Sequence, residues 1–148
     1  MLIQAGVLLK SRSASPDDYF YNAIICIVEY NTNGALGFLV NRPFLRSLNE
    51  LAEFIYLPSF PLYEGGPVDQ DHLYFIHRRP DIIEDGDEVS SGFYYGGNFR
   101  QATESIQQGL INEKDIRIFV GYCGWHTGDL ERETEANEWS VISFDLFT

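Results

Sequence analysis

Residues 121–133, GYCGWHTGDLERE, gather the densest set of side chains able to do chemistry in this 148-residue chain. Gly121, Gly124 and Gly128 lead from an apolar run into Trp125 and His126, then into Asp129, Glu131 and Glu133. Glycines between a strand and a helix are the setting of a phosphate loop. Here the Gly-Lys-Ser/Thr and G-x-G-x-x-G patterns are missing, and three carboxylates fall where the positive helix end already stabilises them. Metal binding would draw on His126, Asp129, Glu131 and Glu133. On a helix Asp129 and Glu133 share a face while Glu131 points away. His72 and His77, five apart on a strand, face opposite sides. Acids at a helix N-terminus explain the same residues without an ion. Covalent catalysis could use Cys123 with His126, yet no nucleophile elbow surrounds any serine, and a thiol ending a strand reads as a small apolar filler. No catalytic set, metal-ligand set or cofactor is assigned. The segment reads as a tight backbone corner seating an anionic helix.

A second glycine corner is YEGGPVD, residues 63–69, where Gly65 and Gly66 permit positive φ or close backbone approach and Pro67 fixes the exit. Arg42, Gly65, Gly66, Pro67, His77, Trp125, His126, Asp129, Glu133 and Asn137 are the candidates for a ligand or partner surface.

The elements that must position these residues follow from the patterning. Strands are expected over residues 5–11, 22–30, 35–41, 72–79, 87–97, 115–123 and 139–147. Residues 22–30 are almost continuously apolar, as in a strand covered on both faces. Asn31-Thr32-Asn33-Gly34 supplies a hairpin turn. Ser47 and Glu50 fit a capping box, and Leu48, Leu51, Ala52 and Ile55 give a short helix one apolar stripe, closed by Pro58 and Pro61. Asn98 caps a second helix with Gln101 at its third position and Gly109 as its stop. A last helix over residues 129–137 has a thin apolar face, the mark of a covering or interface element. The order predicts a single α+β domain over residues 1–148 with a mixed, mainly antiparallel sheet.

Net charge is −12, and residues 81–148 carry 14 acids against 4 bases. Such a surface repels nucleic acid, so direct DNA contact is disfavoured. The apolar runs, about six residues long, are far short of the roughly 20 of a membrane span. The N-terminus lacks the basic start of a secretory signal. Cys26 and Cys123 read as reduced, buried thiols, and a cytoplasmic location is expected. Whether the two thiols are close is left open.

NTNGALGFLVNRP (residues 31–43), EGGPV (64–68) followed by LYFIH (73–77), and GYCGWHTGDLERE followed by NEW (137–139) resemble, in order and spacing, the YqgE/AlgH family of small bacterial proteins. That resemblance implies a strongly curled, barrel-like sheet flanked by about three helices, and no established reaction. One family name derives from a role proposed in regulating alginate synthesis, and "transcriptional regulator" is sometimes attached to it. Two departures stand out: Tyr30 occupies a position where the family commonly has His, and family members usually continue beyond Thr148 into a helical segment. The reading is a non-enzymatic module that binds a protein or small molecule, with self-association left open. The alternatives are a metal-assisted hydrolase using a His/carboxylate site and a DNA-binding regulator.

Overall fold

Alternation and turn chemistry build the first hairpin. Strand β2 (Ile24–Asn31) and strand β3 (Gly34–Leu39) pair antiparallel down to Asn31 opposite Gly34, and Asn33 N–H donates to the Asn31 side chain at 2.8 Å. The computed structural model describes residues 3–90, 92–143 and 146–147. Its other strands are β1 (Leu8–Ser11), β4 (Leu62–Glu64), β5 (Val68–His77), β6 (Asp87–Ser90), β7 (Phe93–Tyr95), β8 (Ile116–His126) and β9 (Trp139–Ile142). Two α-helices accompany them, α1 (Phe99–Gln107) and α2 (Asp129–Glu135).

The strands form one sheet in the order β6-β7-β5-β8-β3-β2-β1-β9, with β4 beside β8. Only the β4–β8 pairing is parallel among those described; the others run antiparallel. Strand β8 is the seam. Its first half pairs with β5 from Ile116 to Val120 and with β4 over Ile118 to Val120, while its last four residues pair with β3. Pairing on both edges leaves β8 almost wholly buried as far as Cys123.

Strand β2 is covered on both faces, as its sequence requires. Ile25 and Ile27 pack with Leu9, Leu39, Cys123, Leu130 and Trp139 on the α2 side. Cys26 and Val28 pack with Leu8, Phe38, Ile76 and Phe119 on the other. The two thiols therefore sit on opposite faces of the sheet. A third cluster, beneath α1 and residues 48–60, gathers Leu48, Phe60, Phe75, Ala102, Ile106, Ile118 and Val120.

Several expectations are corrected. The helix expected near residues 48–55 is two single turns of 3-10 helix, Leu48–Glu50 and Ala52–Phe54. Leu51 between them is extended, and Ser47 N–H donates to the Glu50 carboxylate at 3.2 Å, so local side-chain bonds close a turn and do not nucleate an α-helix. Among the described residues two α-helices accompany the sheet where about three were expected. It is not closed into a barrel: β6 and β9 are its ends and are not paired with each other among the described residues. Within the single strand expected over residues 87–97 there are two, β6 and β7, paired antiparallel. The Trp–His corner is not a corner. Strand β8 continues through Trp125 and His126, because β3 offers them a partner, and the chain turns at Thr127 and Gly128, the glycine with φ +83°. Helix α2 ends at Glu135, and Asn137 takes a left-handed φ of +62°. The last strand stops at Ile142; residues 144 and 145 of the expected strand lie outside the described residues.

Other expectations hold. The Asn98 side chain accepts from Gln101 N–H at 3.0 Å, and Gly109 takes φ +74° just past α1.

Candidate functional site

The end of β8, helix α2 and the turn after it carry five of the candidate residues, Trp125, His126, Asp129, Glu133 and Asn137. Helix α2 buries only Leu130, so polar side chains must fasten it. Glu133 does so: one carboxylate oxygen accepts from the Trp125 indole N–H at 3.1 Å and from the Trp139 indole N–H at 2.9 Å. The two indoles meet edge to face, 6.1 Å between ring centres. Glu131 accepts from the Tyr30 hydroxyl at 2.7 Å, and Asp129 is paired with Arg132. Glu133 and Asn137, with Ser11, Arg12, Asp18 and Phe20, line a polar cavity of about 200 Å³. His126 is exposed beside this region.

Arg42, Gly65 and Gly66 occupy a second place. Gly65 bridges strands where they diverge: its carbonyl accepts from Leu39 N–H and its N–H donates to the Val120 carbonyl, both at 2.8 Å. A Cβ on Gly65 would stand 2.7 Å from the Phe119 Cβ, and one on Gly66 would stand 2.5 Å from the Cys123 nitrogen. Close approach, not positive φ, explains both glycines. Pro67 follows, exposed. The Arg42 guanidinium donates to the Tyr19 carbonyl at 2.7 Å, stacks over the Tyr19 ring at 4.8 Å and lies 3.5 Å from the Glu64 carboxylate. The Tyr19 hydroxyl donates to that same carboxylate. Burial raises the Tyr19 phenol above its ordinary value, with the Glu64 hydrogen bond adding to it. Cys123 lies beneath, its thiol donating to the Gly65 carbonyl at 3.4 Å. Burial pushes Cys123 up to about 12 and Cys26 likewise, so neither is a thiolate near neutral pH.

His77 stands apart, nine positions from Trp125 in the register of β8, a separation of roughly 30 Å along a strand. It is fully buried. Its Nδ1 accepts from Arg79 N–H at 3.1 Å, which leaves Nε2 to donate to the Gly96 carbonyl at 3.1 Å. Its ring stacks on Tyr94 and Phe75. Desolvation lowers its pKa, keeping the ring neutral.

The ten candidates thus fall in three places. Among the described residues no three of His, Cys, Asp and Glu gather in an arrangement suited to a metal ion, and no helix is long and apolar enough to cross a membrane.

Sequence reasoning missed a groove of about 590 Å³. Leu73 and Val120, paired across β5 and β8, line it with Phe44, Leu51, Phe54 and Phe99. The Phe54 and Phe99 rings meet edge to face at 5.7 Å. Glu53, Gln70, Asp71 and His72 supply its polar lining. The signal was Phe44, Phe54 and Phe99, aromatic residues outside the strand alternation. An α-helix over residues 48–55 would have assigned Leu51 to a buried stripe, whereas the 3-10 turns leave Leu51 and Phe54 only half-buried.

Comparison with known proteins bears out the resemblance seen in the sequence blocks. A model of the AlgH-like family matches residues 7–146. A UPF0301 protein of Chlorobium phaeobacteroides is 34% identical over 139 residues, spanning 94% of this chain and 74% of that protein. Another, from Chlorobium limicola, is 36% identical over 138 residues, spanning 93% and 73%. The solution structure of the AlgH protein from Pseudomonas aeruginosa is similar with a TM-score of 0.77 and 28% identity, over 97% of this chain and 80% of that one. A crystal structure from Corynebacterium diphtheriae shares the fold with a TM-score of 0.80 at 17% identity, over 99% and 78%.

Proposed function

The chain belongs to the AlgH-like family, and from that premise we propose that it is a binding module acting through a protein or small-molecule partner, without catalysis of its own. The groove lined by Phe44, Leu51, Phe54 and Phe99 carries this reading. Its volume falls within the roughly 300–1,000 Å³ of ligand pockets, and its lining joins aromatic and aliphatic side chains to a few polar ones. The groups that could do chemistry are spent on structure: Glu133 on two indoles, His77 on two backbone bonds, Cys123 on burial. A metal-assisted hydrolase would have to release Glu133 from both tryptophans and Asp129 from Arg132. A DNA-binding regulator would work against a net charge of −12. The Trp125–Glu133–Asn137 region and the Arg42 corner are secondary contact surfaces in this proposal.

The test is a neutral apolar fluorophore, N-phenyl-1-naphthylamine, titrated into native protein. Saturable enhancement that falls in Phe54→Ser is expected. No saturable enhancement, or enhancement indifferent to Phe54→Ser, overturns the proposal.

A further inference from the structure

The same groove has a charge character that narrows its occupant, an inference that rests on the binding-module reading. Glu53 and Asp71 stand among its lining residues with one titratable base, His72, which Asp69 holds, and no Lys or Arg does. Glu50 ends the first 3-10 turn just upstream, and Asp69 accepts from its neighbour His72 at 2.8 Å. Asp69, at φ +55°, opens the irregular stretch of β5 that thrusts residues 69–72 into solvent. The arginine nearest in sequence to Phe99, Arg100, is held by Glu104 at 3.0 Å. Arg46, just before the first 3-10 turn, acts on Glu50. Directly after Phe54 in the chain come Ile55, 77% exposed, and Tyr56, 57% exposed. A small molecule would use the cavity and leave these two in water; a polypeptide would cover them.

We propose that the groove docks a basic amphipathic segment of a partner protein, its apolar side chains against Phe44, Leu51, Phe54 and Phe99 and its Lys or Arg residues facing Glu53 and Asp71. A second copy of this chain is the wrong partner, because it brings its own −12 charge to an acidic rim. An amphipathic segment in a hydrophobic groove is a recurrent recognition mode, and rim charges of complementary sign set its selectivity.

The experiment is fluorescence anisotropy with a labelled Leu/Lys amphipathic peptide of about 14 residues, some 20 Å as a helix. A second peptide replaces every Lys by Glu. Three proteins are compared: the native chain, Glu53→Lys/Asp71→Lys, and a control of equal net charge, Glu113→Lys/Glu135→Lys. All altered residues are exposed acids. The Lys peptide is expected to bind the native chain and the control alike, and to lose about tenfold or more in affinity for the groove variant. The Glu peptide is expected to bind the native chain far more weakly. Equal weakening by the control, equal binding of both peptides, or no binding of the Lys peptide overturns the inference. If the neutral fluorophore still enters the groove in that case, the binding-module reading survives its failure.

Discussion

A histidine whose two ring nitrogens are both committed keeps its bonds in one protonation state only. His77 accepts at Nδ1 from Arg79 and donates from Nε2 to Gly96, so a second proton would break the first bond and charge a buried ring. Its pKa lies below the ordinary value of about 6.5, which the unfolded chain retains. Between the two values the unfolded state binds more protons, so this residue stabilises the fold fully above about pH 6.5 and progressively less as pH falls. Comparing urea midpoints of the native chain and His77→Gln from pH 7.5 to 5 should show a flatter curve for the variant. His72, exposed and raised by Asp69, works in the opposite sense in both proteins and drops out of the difference. Parallel curves would show that His77 does not titrate on unfolding. At this scale the sequence tells residue type but not partner. His77 could be placed on the opposite strand face from His72, yet the carbonyl it meets belongs to Gly96, across a hairpin that periodicity read as one strand.

Helix α2 shows how an element with little apolar face is kept in place. Leu130 is its one buried residue, and the Glu133 carboxylate shared by two indoles supplies the second anchor. Glu133→Ala leaves two indole N–H groups without an acceptor, that of Trp139 within a buried side chain, and should cost about 1–3 kcal/mol. A lowered thermal midpoint with faster amide exchange across α2 is the expected result; Glu133→Gln, which keeps an acceptor, should lose less. An unchanged midpoint would mean that the shared bond contributes nothing net. The thinness of this helix was legible from the spacing of Leu130, Thr134 and Asn137, and so were the β2–β3 hairpin and the Asn98 cap, because each rests on bonds between near neighbours. The strand through Trp125 and His126 was not. Glycines at 121, 124 and 128 read locally as a turn, but pairing with Gly34 and Ala35, some 90 residues away in sequence, holds that backbone extended. The 3-10 turns were misread for the converse reason, since an apolar stripe one or two turns long does not carry enough helical stability to overrule an extended Leu51.

Across the whole molecule the dominant fact is unbalanced charge. Surface ion pairs such as Arg79–Asp81 and Arg100–Glu104 engage some carboxylates, but 22 acids face 10 bases. Self-repulsion should therefore destabilise the compact state, most of all within residues 81–148. Raising sodium chloride from about 0.1 to 1 M shortens the screening length from about 10 to about 3 Å and should raise Tm. A falling Tm would show that the ion pairs outweigh the repulsion.

The seam strand has a consequence for how the polypeptide is made. Strand β8 joins β3, β4 and β5, and it begins only at Ile116. On the ribosome the growing chain therefore carries two unfinished sheets, one ending at β3 and one at β5, each with a bare edge open to strangers. A stop codon anywhere before residue 116 yields orphaned hairpins rather than a smaller protein, a substrate for proteases instead of a remnant domain.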